Sequence, residues 1–221
     1  MTGTDTGAGK TVACCALLHA LAARGVGVLP MKPIAAGAVE REGAWLNEDT
    51  AALLRAAGRP LSEARATTPV LLRSPMAPHL AAAREGVAIE LDTVMAAFAA
   101  LRRRAAFVLV EGVGGFRVPL DATRDTADLA RAMALPVILV VGLRLGCLNH
   151  ALLTAQAVEA AGLGLAGWIA NEIDPAMAAV DENVATLARR LPAPMLGRLP
   201  YRHPPDAVAL ARALDVEPLL R

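Results

Sequence analysis

A glycine-rich loop near the start of the chain carries the residues best suited to chemistry. In GTDTGAGKT, from Gly3 to Thr11, small residues, a lysine and a hydroxyl stand at the start of a helical pattern. Backbone N–H groups there can cradle phosphate oxygens, Lys10 can reach the β- and γ-phosphates, and Thr11 can ligate Mg²⁺. The general rule puts four residues between the glycines. Here five separate Gly3 from Gly9, and Thr4 stands at the usual first glycine.

Three further charged residues can act on the same phosphates. Glu111 follows the aliphatic stretch FVLV, where a carboxylate can hold Mg²⁺ directly or through water, and Gly114 leaves room for the γ-phosphate. Lys32 ends another aliphatic stretch, and two lysines aimed at one triphosphate suit the charge that develops in phosphoryl transfer. Asp49 either serves the dipole of the helix that it begins or is a second Mg²⁺ carboxylate. Simpler alternatives are a helix cap for Glu111 and a surface side chain for Lys32.

Aliphatic runs alternate along the chain with alanine-rich stretches of helical period. We predict strands at Val26–Ile34, Phe107–Val110, Val137–Val141, Leu165–Ala170 and Met195–Leu199. We predict helices at Lys10–Arg24, Glu48–Ala57, Leu91–Arg104, Thr126–Ala134, Asn149–Ala161, Ala178–Arg190 and Asp206–Leu214. Strands without polar alternation must be covered on both faces, so the order predicts one α/β domain over residues 1–221 with a doubly wound, mostly parallel sheet. The segment Glu40–Leu91 is predicted to carry most of the loops and to pass over the active-site face.

The composition excludes several classes of protein. Of 221 residues, 55% are hydrophobic and 3% are aromatic, which favours helices packed on aliphatic strands. The chain has 22 basic and 21 acidic side chains and no long run of either sign, which argues against nucleic acid as a partner. The longest apolar run, Pro136 to Leu143, is too short for a bilayer, which needs about 20 residues, and no signal pattern is present. We expect a cytoplasmic protein without a membrane partner, with Cys14, Cys15 and Cys147 as reduced thiols.

Several stretches together resemble one family. TGTDTGAGKT, KPIAAGA, SPMAPHLAA, LVEGVGGFRVPL, PVILVVGLRLGCLNHALLTAQAV, LAGWIANEI and LGRLP occur in the order found in dethiobiotin synthetases. The similarity runs from residue 2 to about residue 201, and the five-residue gap in the glycine loop is the form this family has. The family belongs to the P-loop NTPase fold.

This resemblance implies an ATP- and Mg²⁺-dependent cyclo-ligase of biotin synthesis. 7,8-Diaminononanoate and CO2 would form a carbamate that attacks the γ-phosphate of ATP, and ring closure would give dethiobiotin, ADP and phosphate. The implied catalytic residues are Thr6, Lys10 and Lys32, and the implied Mg²⁺ residues are Thr11, Asp49 and Glu111. The implied nucleotide contacts are Gly3, Thr4, Asp5, Gly7, Ala8, Gly9, Lys10, Thr11, Glu111, Gly114, Asn171 beside adenine and Pro200 next to the base.

The stretch GCLNHA is a candidate seat for the substrate carboxylate. A glycine before a helix start offers free N–H groups to an anion. The resemblance implies a homodimer in which Gly146, Cys147, Leu148 and Asn149 serve the neighbouring subunit's site. Lys32 and Ala36 would also contact substrate, but the family usually has serine or threonine at Ala36. The lost neutral hydrogen bond is worth about 0.5–1.5 kcal/mol and would weaken binding without abolishing it.

The start of the sequence departs from the family. Family members carry a strand of several residues before the loop, whereas only Met1 precedes Thr2 here. Its loss would leave both neighbouring strands with unpaired backbone groups, at about 1–3 kcal/mol for each buried group. We therefore expect a truncated first strand and a natural chain that begins upstream. A chain that truly starts at Met1 is expected to have low stability or no activity.

Other functions fit parts of the pattern. The same fold occurs in partitioning and positioning ATPases of the MinD type, which usually carry a second lysine early in the loop, near Thr4 here. The final helix has too little basic charge for the membrane face that many of them use. A glutaminase-fed amide ligase would need a further domain. An inactive synthetase is the remaining alternative.

Overall fold

The computed structural model describes residues 1–41 and 43–220 as an α/β fold. The strands are β1 Thr2–Gly3, β2 Val28–Met31, β3 Ile34–Ala35, β4 Val39–Arg41, β5 Ala44–Leu46, β6 Val70–Leu71, β7 Phe107–Val110, β8 Val137–Leu143, β9 Leu165–Glu172 and β10 Met195–Leu199. The helices are α1 Lys10–Ala23, α2 Glu48–Ala56, α3 Ala64–Thr67, α4 Pro78–Glu85, α5 Leu91–Arg102, α6 Thr126–Met133, α7 Cys147–Ala160, α8 Val180–Arg190 and α9 Ala207–Ala211.

The main strands run parallel, as the sequence predicts. β1, β8, β9 and β10 pair in that order, and β2 pairs with β7. Met1 joins the two groups: its ammonium donates to the carbonyl of Val110, and its own carbonyl accepts from the N–H of Gly112 at 2.9 Å. The two-residue β1 therefore lies between β7 and β8, and the carboxyl ends of all these strands share one edge of the sheet.

Helices cover both faces of the sheet because its strands are apolar on both. In β8, Ile138 and Val140 pack into the cluster formed with α1, whereas Leu139 and Val141 pack into the cluster formed with α7. All seven residues of β8 are buried. Successive side chains of a strand point to opposite faces, so a strand covered on both sides must be apolar throughout. The doubly wound α/β prediction is confirmed.

Several predicted boundaries were wrong. The run predicted at Val26–Ile34 ends as a strand at Met31 and continues as β3, which pairs with β6. Helix α7 begins at Cys147, two residues before the predicted Asn149, because Gly146 at φ +94° turns the chain into the helix. The segment Glu40–Leu91, predicted to carry most of the loops, contains the predicted helix α2 and, in addition, α3, α4 and most of the antiparallel β4–β5 pair. Its residue Glu42, like Arg221 of the predicted domain, lies outside the described residues.

Across residues 1–41 and 43–220, no helix is both long enough and apolar enough to cross a membrane.

Candidate active site

The glycine-rich loop connects β1 to α1 and is fastened to β8. The N–H of Thr4 donates to the carbonyl of Val140 at 3.0 Å, and the Thr4 hydroxyl accepts from the N–H of Gly142 at 3.2 Å. Thr4 thus has a structural role in place of the usual first glycine. Asp5, Thr6 and Gly7 remain exposed at the tip, where a ligand can reach their backbone.

Arg144 holds the tip of this loop through Asp5. Its guanidinium donates to one oxygen of Asp5 at 2.5 Å, while the other accepts from the N–H of Thr6 at 2.7 Å. Lys10 folds back so that its ammonium donates to the Asp5 carbonyl at 3.0 Å. Arg144 was missed at the sequence level, since the strand-end position of a basic residue does not reveal its partner.

Gly9 and Asn171 pack closely where the loop enters α1. The Asn171 amide donates to the carbonyl of Ala8 at 2.9 Å, and Asn171 is 6% exposed. A Cβ on Gly9 would lie 2.0 Å from that amide nitrogen, and Gly9 has φ +81°, so only glycine fits. Because the Asn171 nitrogen is engaged, its carbonyl oxygen is the atom left for a base. Pro200 follows β10 on the neighbouring strand and is exposed.

Glu111 is the centre of a buried polar cluster. It follows β7, and one of its oxygens accepts from the Thr11 hydroxyl at 2.8 Å and from the Lys32 ammonium at 2.5 Å. Lys32 also donates to Asp49 at 2.7 Å. Glu111 is 0% and Lys32 is 3% exposed. Lys32 is therefore not a surface side chain, and Glu111 is not a helix cap, because the next helix begins only at Thr126. Residues far apart in sequence therefore meet at the strand ends.

Charge and burial compete at the two lysines. Burial alone would lower the pKa of Lys32, but attraction and hydrogen bonds from Glu111 and Asp49 outweigh it and raise the pKa. Burial lowers the pKa of Lys10, and the nearby Lys32 ammonium lowers it further against the attraction of Glu111. Glu111 thus attracts both ammonium groups, and Lys32 lowers the pKa of Lys10.

Asp49 is free to serve the site because another residue caps its helix. The side chain of Asn47 accepts from the N–H groups of Asp49 and Thr50 at 3.0 and 3.3 Å, which is the N-cap arrangement. Burial would raise the pKa of Asp49, but the charge and hydrogen bond of Lys32 lower it. Asn47 also donates to the carbonyl of Ala36 at 3.1 Å, so it ties the predicted substrate segment to α2. Sequence reasoning missed Asn47, although its type and place before Glu48 are N-cap signals.

The cluster fits a hard divalent cation. The second oxygen of Glu111 is buried and has no hydrogen-bond partner among the described residues. Two carboxylates and the Thr11 hydroxyl are the oxygen ligands that Mg²⁺ prefers, with the remaining positions taken by water or phosphate. In residues 1–41 and 43–220, no three His, Cys, Asp or Glu side chains gather as a metal cage. A cation at this place would therefore also need oxygens from bound phosphate or water.

The remaining predicted residues occupy two other parts of the same edge. Gly114 has φ +62°, and a Cβ on it would lie 3.6 Å from the Thr6 hydroxyl, so the segment after Glu111 faces the loop. At the start of α7, Cys147 is buried, Leu148 is half-buried, and Gly146 and Asn149 are exposed, with no side-chain cap on the helix. Their predicted contacts with substrate, and the dimer, remain predictions.

The loop, the strand that precedes it and the Lys10–Thr11 pair at the start of α1 define a P-loop nucleotide-binding domain. Residues 1–208 match the model of the AAA domain family AAA_26, and the chain belongs to this family of P-loop NTPases.

A solved structure shares the fold. The cell division protein FtsY of Thermotoga maritima superposes with a TM-score of 0.52 over 99% of this chain, at 19% identity. The chain spans 66% of that protein's length, just under two thirds. At this identity the similarity concerns the architecture of the domain.

Proposed function

We propose that the protein is an ATP-dependent dethiobiotin synthetase. The observation that carries the proposal is the second lysine: Lys32 contacts the same Glu111 carboxylate oxygen as Thr11 of the P-loop. Transfer of a phosphoryl group to an anionic acceptor benefits from a second cation at the acceptor, which is the place proposed for Lys32. The order of the sequence motifs and membership of a family that includes dethiobiotin synthetase support the same conclusion.

The proposed reaction has three steps. One amine of 7,8-diaminononanoate adds to CO2 and loses a proton, which gives a carbamate. A carbamate oxygen attacks the γ-phosphorus of ATP, the bond from that phosphorus to the β-bridging oxygen breaks, and ADP leaves. The second amine then attacks the carbonyl carbon of the mixed anhydride and displaces phosphate, which closes the ureido ring.

The proposed roles follow from where charge develops. The backbone N–H groups of the loop and Lys10 bind the β- and γ-phosphates, and Thr6 at the exposed tip contacts the transferred group. Lys32 binds the carbamate and neutralises charge as the phosphoryl group moves. Bound between Thr11, Asp49 and Glu111, Mg²⁺ would supply charge neutralisation at the phosphate oxygens. Because Lys32 is hydrogen-bonded to both carboxylates, it is held in place before substrate arrives.

We further propose that the start of α7 binds the carboxylate of the diamino acid from a second subunit. The support is the uncapped helix start at Gly146, where N–H groups of Leu148 and Asn149 point out of the helix. Leu145 beside it is 96% exposed, which suits a surface that a partner covers. Asn171 would accept a hydrogen bond from the amino group of adenine, with Pro200 beside the base.

A regulatory P-loop ATPase is the competing function. The fold shared with FtsY is equally compatible with it, because fold alone does not determine function. Against it stands Thr4, which fastens the loop to β8 through Gly142 at the place where positioning ATPases usually have a lysine.

The test is diaminononanoate-dependent release of phosphate from Mg-ATP together with incorporation of labelled CO2. We expect one phosphate for each CO2 fixed, and loss of both with Lys32→Met. Retained ATP binding with no response to the diamine would support an inactive synthetase. Stimulation by a protein or membrane partner instead would favour the regulatory function.

A further inference from the structure

One ion pair at the tip of the P-loop is not used by the proposed reaction. The guanidinium of Arg144 donates to one carboxylate oxygen of Asp5 at 2.5 Å, and the other oxygen accepts from the N–H of Thr6 at 2.7 Å. We call Asp5 and Arg144 the tip pair. Within residues 1–41 and 43–220, Arg144 is the only residue outside the loop and α1 whose side chain forms a hydrogen bond to Asp5, Thr6 or Gly7.

The loop is anchored on both sides of this tip. Before the tip, Thr4 forms hydrogen bonds to Val140 and Gly142 of β8. After it, the Ala8 carbonyl accepts from the Asn171 amide at 2.9 Å. A Cβ on Gly142 would lie 3.0 Å from the Ala8 Cα, so the end of β8 packs directly against the loop. The tip between these anchors is exposed, and the tip pair fixes its direction.

Arg144 starts from a fixed backbone. It follows Leu143, the last residue of β8, which is 1% exposed. The Arg144 carbonyl accepts from the N–H of Cys147 at 3.0 Å, where α7 begins. The side chains of Arg144 and Asp5 are 41% and 50% exposed, so water screens their attraction. The tip pair therefore contributes little to the stability of the fold.

The place of Asp5 makes its charge important for a nucleotide. Its carbonyl lies 3.0 Å from the ammonium of Lys10, the group that reaches the β- and γ-phosphates in a P-loop. A carboxylate on the same residue repels a triphosphate bound there, because like charges interact within a Debye length, which is about 10 Å at 0.1 M salt. Arg144 supplies the opposite charge in direct contact with this carboxylate.

We propose that Arg144 is a positioning residue for nucleotide binding that acts through Asp5. It cancels the charge of this carboxylate and holds it against the N–H of Thr6, so the tip keeps one direction before the phosphates arrive. Arg144 itself does not contact the nucleotide. Only nucleotide binding is required, so this role is independent of the proposed synthetase reaction and of the start of α7 as a substrate site.

The test is a double-mutant cycle on the affinity for a non-hydrolysable ATP analogue with Mg²⁺, measured by calorimetry at about 0.1 M salt. Arg144→Ala should raise Kd about fivefold, because it leaves the Asp5 carboxylate without its cation beside the phosphates. In an Asp5→Asn background the same change should raise Kd less than about twofold, because no negative charge is left to cancel. Arg144→Lys keeps the charge without the planar guanidinium, so its Kd should lie between those of Arg144→Ala and the wild type.

Three comparisons separate this role from a structural one. Arg103→Ala removes an exposed positive charge at the end of α5, near the amino end of β7, and should leave Kd unchanged. At about 1 M salt, where the Debye length is about 3 Å, the difference between Arg144→Ala and the wild type should fall below about twofold. The Tm of Arg144→Ala should stay within about 3 °C of the wild type, because exposed ion pairs contribute little to stability.

Three results would overturn the proposal. The first is an unchanged Kd in Arg144→Ala at low salt. The second is an equal loss of affinity from Arg144→Ala in the wild-type and Asp5→Asn backgrounds, which would mean that Arg144 contacts the nucleotide directly. The third is a loss of affinity that persists at 1 M salt together with a large fall in Tm, which would assign Arg144 a structural role.

Discussion

Removing the Lys32 ammonium should destabilise the fold through the carboxylate that it leaves behind. Lys32→Met keeps the length and most of the volume of the side chain, so packing changes little. Glu111, whose side chain is 1% exposed, then loses its closest cation and keeps the hydrogen bond from Thr11. The predicted cost is therefore electrostatic.

The magnitude follows from burial. Removing one partner of a buried ion pair costs about 3–5 kcal/mol. The side chain of Asp49 is 42% exposed, so water can replace its share of the lost interaction, and Lys10 remains close to Glu111. We therefore expect the lower limit, about 3 kcal/mol, which corresponds to a fall of about 6–12 °C in Tm for a domain of this size.

A double-mutant cycle in urea separates this effect from lost packing. Lys32→Met, Glu111→Gln and the combined variant are unfolded at neutral pH, and the free energies of unfolding are compared at similar m-values. The combined variant has neither charge, so we expect it to be about 2 kcal/mol more stable than the sum of the single changes predicts. Additive single changes would refute the claim that these charges depend on each other.

Three other predictions concern the same edge of the sheet. Mg²⁺ without nucleotide should raise the Tm of Lys32→Met more than that of the wild type, because the carboxylates have lost their ammonium; equal shifts would argue against a cation site there. Gly9→Ala should abolish nucleotide binding measured by calorimetry, since its Cβ would lie 2.0 Å from the Asn171 amide nitrogen. The control is Gly25→Ala, which has a similar positive φ but open space around it; it should cost about 1–2 kcal/mol of stability and leave binding intact. The pKa of Asp49 is lowered in the folded state, so its contribution to stability is present above its unfolded pKa of 3.8 and is lost as pH falls through the folded pKa. Asp49→Asn should therefore flatten the dependence of stability on pH below about pH 4. An unchanged loss of stability in acid would contradict this.

Much of the fold was predictable because its strands are buried on both faces. β7 and β10 have the predicted bounds, since uninterrupted aliphatic runs between glycine, proline and charges have few other uses. The β4–β5 pair was not predictable, because Val39–Arg41 and Ala44–Leu46 are mostly exposed and show no apolar alternation. Helix α4 was not predicted, because it is short and lies within the segment that was predicted to carry most of the loops.

The site was predictable in its residue types but less so in its contacts. Lys10, Lys32 and Glu111 were found because each stands at a strand end or helix start, where a parallel sheet collects its ligands. The link from Asn47 to Ala36 and the link from Arg144 to Asp5 join segments that are distant in sequence or depend on side-chain direction. The order of residues along the chain does not show which distant side chains come within hydrogen-bond distance. The hydrogen bond from the Asn171 amide to the Ala8 carbonyl could not be predicted for the same reason.

In the proposed reaction, a carbamate oxygen attacks the γ-phosphorus of ATP between Lys10 and Lys32. The most direct measurement is a short incubation of the protein with Mg-ATP, diaminononanoate and CO2 labelled with ¹⁸O, followed by mass spectrometry of the released phosphate. Since the attacking oxygen stays on phosphorus when the ring closes, we expect one labelled oxygen from CO2 in each phosphate. Phosphate released without label, at the same rate with and without the diamine, would contradict it.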